Sequence, residues 1–390
     1  MSQARSATRS APLAAEGSSP PLVMEVDLQA ISHNLSVVRA RAARGRVLVA
    51  VLKAGAYGHG AVEVARTVAA GGADLLATGS IGDARAIRAA GVPTPLVLFG
   101  ASLPEAAVEA VREGFLPSVD RAEVVTAISE ATAAETPIFV KVDGGFGRLG
   151  VPLGEAHAFV SWAAAQPRIR VYGIHTHPTF QDSRGLEWAG GRVREFEDLI
   201  DGLAADGIEV PVSQAVTSPG VVAGLADRLS AVAVGHLLFG LSPVAADLAE
   251  RFRAFDVRPA LRAIRTRLVH VGPCPAGGTA AAYLRHGVVR TGVMPFGLWL
   301  GYRGPSGDGT AAVLVRGRRV PVLRICLDNA VLDLSRVADA AVGDEIVVVG
   351  AQGEERITLE EVATWQGVSP LTVLAGLGAR VPQRYSPADS

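Results

Sequence analysis

Lys53 closes an apolar run, VLVAVLK (47–53), and that position lends its amine a particular chemistry. An ammonium at the end of a buried strand loses hydration, which favours the neutral amine, and a neutral amine can form a Schiff base with a carbonyl. Other polar groups fall at the ends of other apolar runs. Lys141 and Asp143 lie near the end of PIFVKVD (137–143), with Arg148 in the loop beyond. His175 and His177 end RVYGIHTH, Thr217 and Ser218 end VPVSQAVTS, and Gly235 and His236 end the run RLSAVAVG. Each alone reads as an ordinary surface position; five run ends behaving alike predict a shared pocket. Gly145, Gly147 and Gly150 satisfy the G-x-G-x-x-G pattern of dinucleotide sites. That reading also needs an acidic residue ending a second strand about 20 residues on. Residues 163–170 read AAAQPRIR, so it is set aside.

These residues need a frame that brings strand ends together. Further short, β-branched runs, ADLLATGS (73–80), TPLVLFG (94–100) and FLPSVD (115–120), alternate with Ala-rich, helix-favouring segments. Continuous apolar runs suit strands buried on both faces. Eight such units predict a (β/α)8 TIM-type barrel, with a doubly wound open sheet as the alternative. After about residue 258 the long helical stretches cease, and RTRLVHVG, VVRTGVMPFGLWLG, AAVLVRG, RVPVLRICLD and DEIVVVG predict a mainly antiparallel β domain. Thr358 and Glu361 form a T-x-x-E capping box that opens a late helix. The expected division is a tail at 1–22, a barrel at 23–257, a β domain at 258–385 and a tail at 386–390.

Composition excludes several classes of function. Net charge is −1, with no long basic run to serve as a nucleic-acid footprint. Two cysteines, Cys274 and Cys326, form no C-x-x-C pair, so neither a metal site nor a disulfide framework is expected, and a reducing cytoplasm suits them. No apolar run has the length of a membrane span, about 20 residues. Residues 1–21 lack the apolar core of a signal peptide. Arg5 and Arg9 precede the first acid, Glu16, as in organelle targeting, but a disordered tail is the expectation.

Around Lys53 the chain reads AVLKAGAYGHG, which closely resembles the cofactor signature of alanine racemases, AVVKANAYGHG in its usual form. KVDGGFGRLG follows at a suitable distance, and the similarity runs from MEVDLQAISHNLSVVRAR to ARVPQRY. The resemblance implies a fold type III enzyme that uses pyridoxal 5′-phosphate (PLP) on an amino-acid substrate. Lys53 would hold the cofactor as a Schiff base and act as a base on one substrate face; Tyr57 and Ser218 would reach its phosphate. Gly235 and His236 would offer backbone N–H groups to the same phosphate. Arg148 would contact the cofactor phenolate and the substrate carboxylate through its bidentate fork. Lys141, seven residues before Arg148, matches a lysine often carbamylated in the family. His177 matches a histidine beside the cofactor ring. In the second domain, GVMPFGLWLGYRG and RICLDN match motifs that complete the partner subunit's site, implying a homodimer in which Leu298, Leu327 and Asp328 face the partner's substrate region.

Departures from the pattern bear on the reaction. Leu298 stands where the family's second catalytic base is a tyrosine. Ala233 replaces an arginine facing the pyridine nitrogen, Leu371 replaces a phosphate-binding tyrosine, and Thr217 replaces an asparagine. Racemisation uses bases on both faces of the α-carbon, and loss of a general base costs about 10²–10⁴ in rate. Tyr283, His286 and His236 are candidates to substitute, although LRHG around His286 reads as a turn. Three readings follow: a racemase-like isomerase with an altered second base; one-base PLP chemistry such as decarboxylation, retro-aldol cleavage or α-proton exchange; and a non-catalytic PLP-binding protein.

Overall fold

A computed structural model describes residues 22–386 except 101–102, 278–282, 284–285, 306–310 and 379. The first strand, β1 (Leu22–Asp27), leads into a helix, Leu28–Ala42, whose N-terminus is capped by the Asp27 carboxylate accepting from the Ala30 N–H at 3.0 Å. The barrel strands follow: β2 (Val47–Val51), β3 (Leu75–Thr78), β4 (Leu96–Leu98), β5 (Leu116–Val119) and β6 (Thr136–Asp143). After the two-residue β7 (Val151–Pro152), which extends β6, come β8 (Ile169–His175), β9 (Val212–Thr217) and β10 (Ala231–Val234). All pair in parallel. β10 returns to β2 with Ala233 opposite Val49, and β5 joins β6, so the eight-stranded sheet closes on itself and has no open edge. Closure decides between the barrel and the open sheet in favour of the barrel. The apolar runs make these strands because both their faces are covered: every residue of LLAT in β3 and AVAV in β10 is buried.

The second domain contains β11 (Leu261–Arg267), β12 (His270–Pro273), β13 (Arg290–Met294), β14 (Ala312–Val315) and β15 (Arg318–Ile325). It continues with β16 (Ala330–Asp333), β17 (Glu345–Gln352), β18 (Glu355–Ile357) and β19 (Gln383–Ser386). Its strands run β12-β13-β16-β15-β14-β17-β11-β1-β19, antiparallel except for the parallel β1–β19 pair. One expectation is corrected here. The barrel was placed from residue 23, yet β1 bonds to β11 and β19 in the second sheet. Its alternate residues Leu22, Met24 and Val26 are buried in a core that spans both domains. The Thr358 hydroxyl caps helix Leu359–Gln366 by accepting from the Glu361 N–H.

The two domains meet at the mouth of the barrel. Helix Pro370–Gly378 packs on the turn after β2. A Cβ at Gly58 (φ +84°) would lie 2.4 Å from the Leu374 carbonyl oxygen, so only glycine permits this approach. The Gln383 amide donates to the Gly58 carbonyl at 2.7 Å, fastening β19 to the same turn.

Candidate active site

Lys53 stands just beyond β2, and the backbone after it does something unusual. Ala54, Gly55, Ala56 and Tyr57 all have φ between 54° and 62°. For residues with a Cβ this left-handed conformation costs roughly 1–2 kcal/mol each. It persists because Ala56 N–H bonds Leu52 O at 2.9 Å, Gly58 N–H bonds Ala54 O at 2.9 Å and Gly60 N–H bonds Gly55 O at 2.8 Å. The turn doubles the chain back so that Lys53 and Tyr57 line one cavity of about 420 Å³.

One end of that cavity is built by β2, β9 and β10. The Tyr57 hydroxyl rests on Gly235, where a Cβ would come within 2.1 Å of it. Ser218 Oγ accepts from the Gly235 N–H at 3.1 Å. The His236 ring meets Tyr57 edge-on at 5.3 Å, and Phe239 supports Tyr57 from 5.1 Å. Behind them the buried His59 stacks on Phe239 at 4.6 Å. Thr217 and Ala233 complete this part of the lining.

The opposite wall comes from β4, β5, β6 and β8. Ser118 Oγ lies 2.7 Å from His175 Nε2, and Phe99 stacks on the His175 ring. Lys141, paired in register with His175, also faces the cavity. The glycine-rich loop beyond β6 has a different task from holding a dinucleotide: it wraps the carboxylate of Asp143. The N–H groups of Gly145, Phe146 and Gly147 donate to that carboxylate at 2.8–2.9 Å, and the Gly150 N–H donates to Asp120 at 2.9 Å. Thus fastened, the loop presents Arg148 to the cavity with its guanidinium 4.7 Å above Phe146, whose ring meets His177 edge-on.

Charge is crowded in this space. Burial, and then Arg148, holds the Lys53 amine below the ordinary lysine range. Burial with help from Arg148 pushes Lys141 down to about 7 against the pull of Asp143. Burial, then Lys141, Lys53 and Arg148, takes His177 to about 3; burial and Lys53 take His236 to about 4. Burial pushes Tyr57 up to about 12, so its hydroxyl stays protonated. Two amines, a guanidinium and several donors converge with few counter-charges, which is the arrangement of a site for an anion. The whole 390-residue sequence contains two lysines, and this cavity receives both.

A phosphorylated aldehyde fits this donor set. Such a group needs an amine of reduced proton affinity, an anion cradle and apolar surface, and these are Lys53, the Tyr57–Ser218–Gly235–His236 end, and the faces of Val51, Phe99 and Ala233. The Thr176 hydroxyl, buried in the lining with no partner among the described residues, is a further polar group that a bound molecule can satisfy. Among the described residues no cluster of His, Cys, Asp or Glu is arranged for a metal ion.

The cavity thus brings together Lys53, Tyr57, Lys141, Arg148, His177, Thr217, Ser218, Gly235 and His236. It does not gather the second-domain residues of the same chain. Tyr283 is half-buried and His286 exposed, in a turn where His286 N–H bonds Tyr283 O at 3.0 Å. Leu298, Trp299 and Leu327 are about half or more exposed and border a separate groove with Arg303 and Arg380; Asp328 is exposed nearby. Asp120, Ser118, Gln214 and Thr176 line the cavity and escaped the sequence reading. Asp120 was reachable, because it ends the run FLPSVD and the rule that exposed the others applies to it.

Comparison with known proteins now bears on this geometry. The family described as "Alanine racemase, N-terminal domain" matches residues 26–243, and "Alanine racemase, C-terminal domain" matches residues 263–385. An alanine racemase of Desulfovibrio desulfuricans is 31% identical over 372 residues, covering 94% of this chain and 98% of that protein. One from Halothermothrix orenii is 29% identical over 373 residues, covering 94% and 97%. The solved alanine racemase of Clostridium difficile 630 superposes with a TM-score of 0.84 at 24% identity, covering 95% and 97% of the two chains.

Proposed function

This chain belongs to the alanine racemase family, whose cofactor is PLP, and we propose that it acts at the α-carbon of a small amino acid as a racemase-like isomerase with an altered second base. The observation that carries the reading is the Lys53 amine, deprived of water and set beside Arg148 in a cavity otherwise furnished with donors. When bound, PLP supplies the electron sink that makes the α-proton of an amino acid removable.

The side chains divide the remaining work. Lys53 would hold the cofactor through its amine and, once free, would take or return the α-proton on its own face. The Tyr57 and Ser218 hydroxyls and the backbone at Gly235 and His236 hold the phosphate. Arg148 binds the substrate carboxylate, and the Asp143-centred loop fixes its approach. His177, held neutral by its surroundings, flanks the ring without adding charge. Thr217 adds a hydroxyl at the end of β9. Leu298, Leu327 and Asp328 of one chain reach the partner's substrate region in a homodimer.

A leucine transfers no proton. Leu298 therefore favours chemistry on a single face, and this sustains the one-base reading as a specific second possibility: proton exchange, decarboxylation or retro-aldol cleavage. The PLP-loaded protein, incubated with L- and D-alanine in D₂O, should incorporate deuterium with retained configuration, or release CO₂ or an aldehyde from a better substrate. Leu298→Tyr should raise racemisation. Brisk racemisation by the unmodified protein overturns the altered-base reading and makes another group, such as Tyr283 or His286, the working base.

A further inference from the structure

We propose that the imidazole of His236, and not only its backbone, is a ligand for the cofactor phosphate. This inference rests on the reading of the cavity as a PLP site and deepens it. At the β2–β9–β10 end, three side chains offer donors that meet no acceptor among the described residues. Ser218 Oγ uses a lone pair on the Gly235 N–H, leaving its O–H to donate elsewhere. The Tyr57 hydroxyl rests on Gly235 and has no hydrogen-bond partner among the described residues. Neither ring nitrogen of His236 has a hydrogen-bond partner among the described residues, and the ring lines the cavity edge-on to Tyr57.

The His236 position is fixed by more than the ring. It opens the short 3₁₀ turn His236–Phe239, and its carbonyl accepts from the Leu241 N–H at 3.0 Å. The backbone there follows directly from Gly235, and both residues line the cavity. The neighbouring helix Pro370–Gly378 packs on the Lys53–Tyr57 turn, but at its start presents Leu371, half-buried against the core and without a donor. Burial and Lys53 keep the ring neutral with one N–H; a phosphate dianion beside it favours the doubly protonated ring and a charge-assisted bond.

The test separates phosphate binding from every other role by comparing two ligands. Apo-protein, with the variants His236→Ala and His236→Gln, is titrated with PLP and with pyridoxal, which lacks the phosphate, and binding is followed by absorbance. Expected is a Kd for PLP raised about 10- to 100-fold in His236→Ala, an unchanged Kd for pyridoxal, and partial recovery in His236→Gln, which keeps a donor. The ³¹P resonance of bound PLP should also shift in His236→Ala. Should His236→Ala bind PLP as tightly as the unmodified protein, or lose PLP and pyridoxal in equal measure, the imidazole is not a phosphate ligand, although the PLP reading stands. If the unmodified protein binds neither ligand, the PLP reading itself falls and this inference with it. A His236→Ala protein that fails to fold leaves the decision to His236→Gln, for which PLP affinity equal to that of the unmodified protein, or an equal loss for PLP and pyridoxal, contradicts the proposal.

Discussion

Lys141 illustrates how one strand position decides what an amine can do. It faces the cavity between Arg148 and His175, and burial brings it down to about 7 from the ordinary lysine value. A neutral amine nitrogen attacks the carbon of CO₂ and loses a proton, leaving a carbamate anion that a guanidinium can pair with. We propose that Lys141 carries such a carbamate and steadies Arg148. Because the folded-state value is depressed, the reactive neutral form predominates above about 7 and is lost as pH falls through it. With ¹³C-labelled bicarbonate, a carbamate resonance should be present near about pH 8, fade below about 7, and be absent from Lys141→Ala. Absence of the resonance from the unmodified protein at the higher pH would refute the assignment. The sequence alone pointed to Lys141 through its strand end, but not to Asp143 as the centre of a carboxylate-wrapping loop. Three glycines at the spacing of a phosphate site carry no mark of which anion their N–H groups will meet.

Among the elements, the eight barrel strands were legible because each is a continuous apolar run between helix-favouring stretches, and the capping box at Thr358 was legible because capping is local. β1 was not: its partners β11 and β19 lie some 240 and 360 residues away, and a pairing that distant leaves no local pattern. Nor was the left-handed turn at Ala54–Tyr57, where three of four residues have side chains that oppose it and hydrogen bonds to Leu52, Ala54 and Gly55 impose it. The N-terminal end of the barrel carries a stability prediction. Just before β2, Arg46 pairs with Asp227, which precedes β10, at 2.5 Å; Arg46 also donates to Ala231 O, and the Asp227 side chain is almost fully buried. Asp227→Ala leaves a largely buried guanidinium without its partner and should cost about 3 kcal/mol in urea unfolding, with PLP affinity unchanged because the cavity lies at the opposite end. A cost below about 1 kcal/mol would show that Arg46 finds water there.

At the scale of the molecule, the site of one chain is walled by its barrel, while Leu298, Trp299 and Leu327 remain exposed on its second domain. Apolar side chains clustered at a surface mark a contact, and we propose that this one closes the partner's cavity in a homodimer. Light scattering should give twice the chain mass. Leu327→Asp should shift the population toward monomer, retain PLP and lose most turnover; a monomer with full turnover would contradict the shared site. Among the described residues no helix is long and apolar enough to cross a membrane.

If this cavity holds PLP on Lys53, the chain's composition lets labelling show it with little ambiguity. With only Lys53 and Lys141 present, an amine-linked cofactor has two side chains to choose between. Loading the protein with PLP, reducing with borohydride and mapping the peptides by mass spectrometry reads the choice directly. The reduced cofactor mass should appear on the peptide containing Lys53 and be lost in Lys53→Ala. Label on Lys141 instead, or no label after loading, would contradict it.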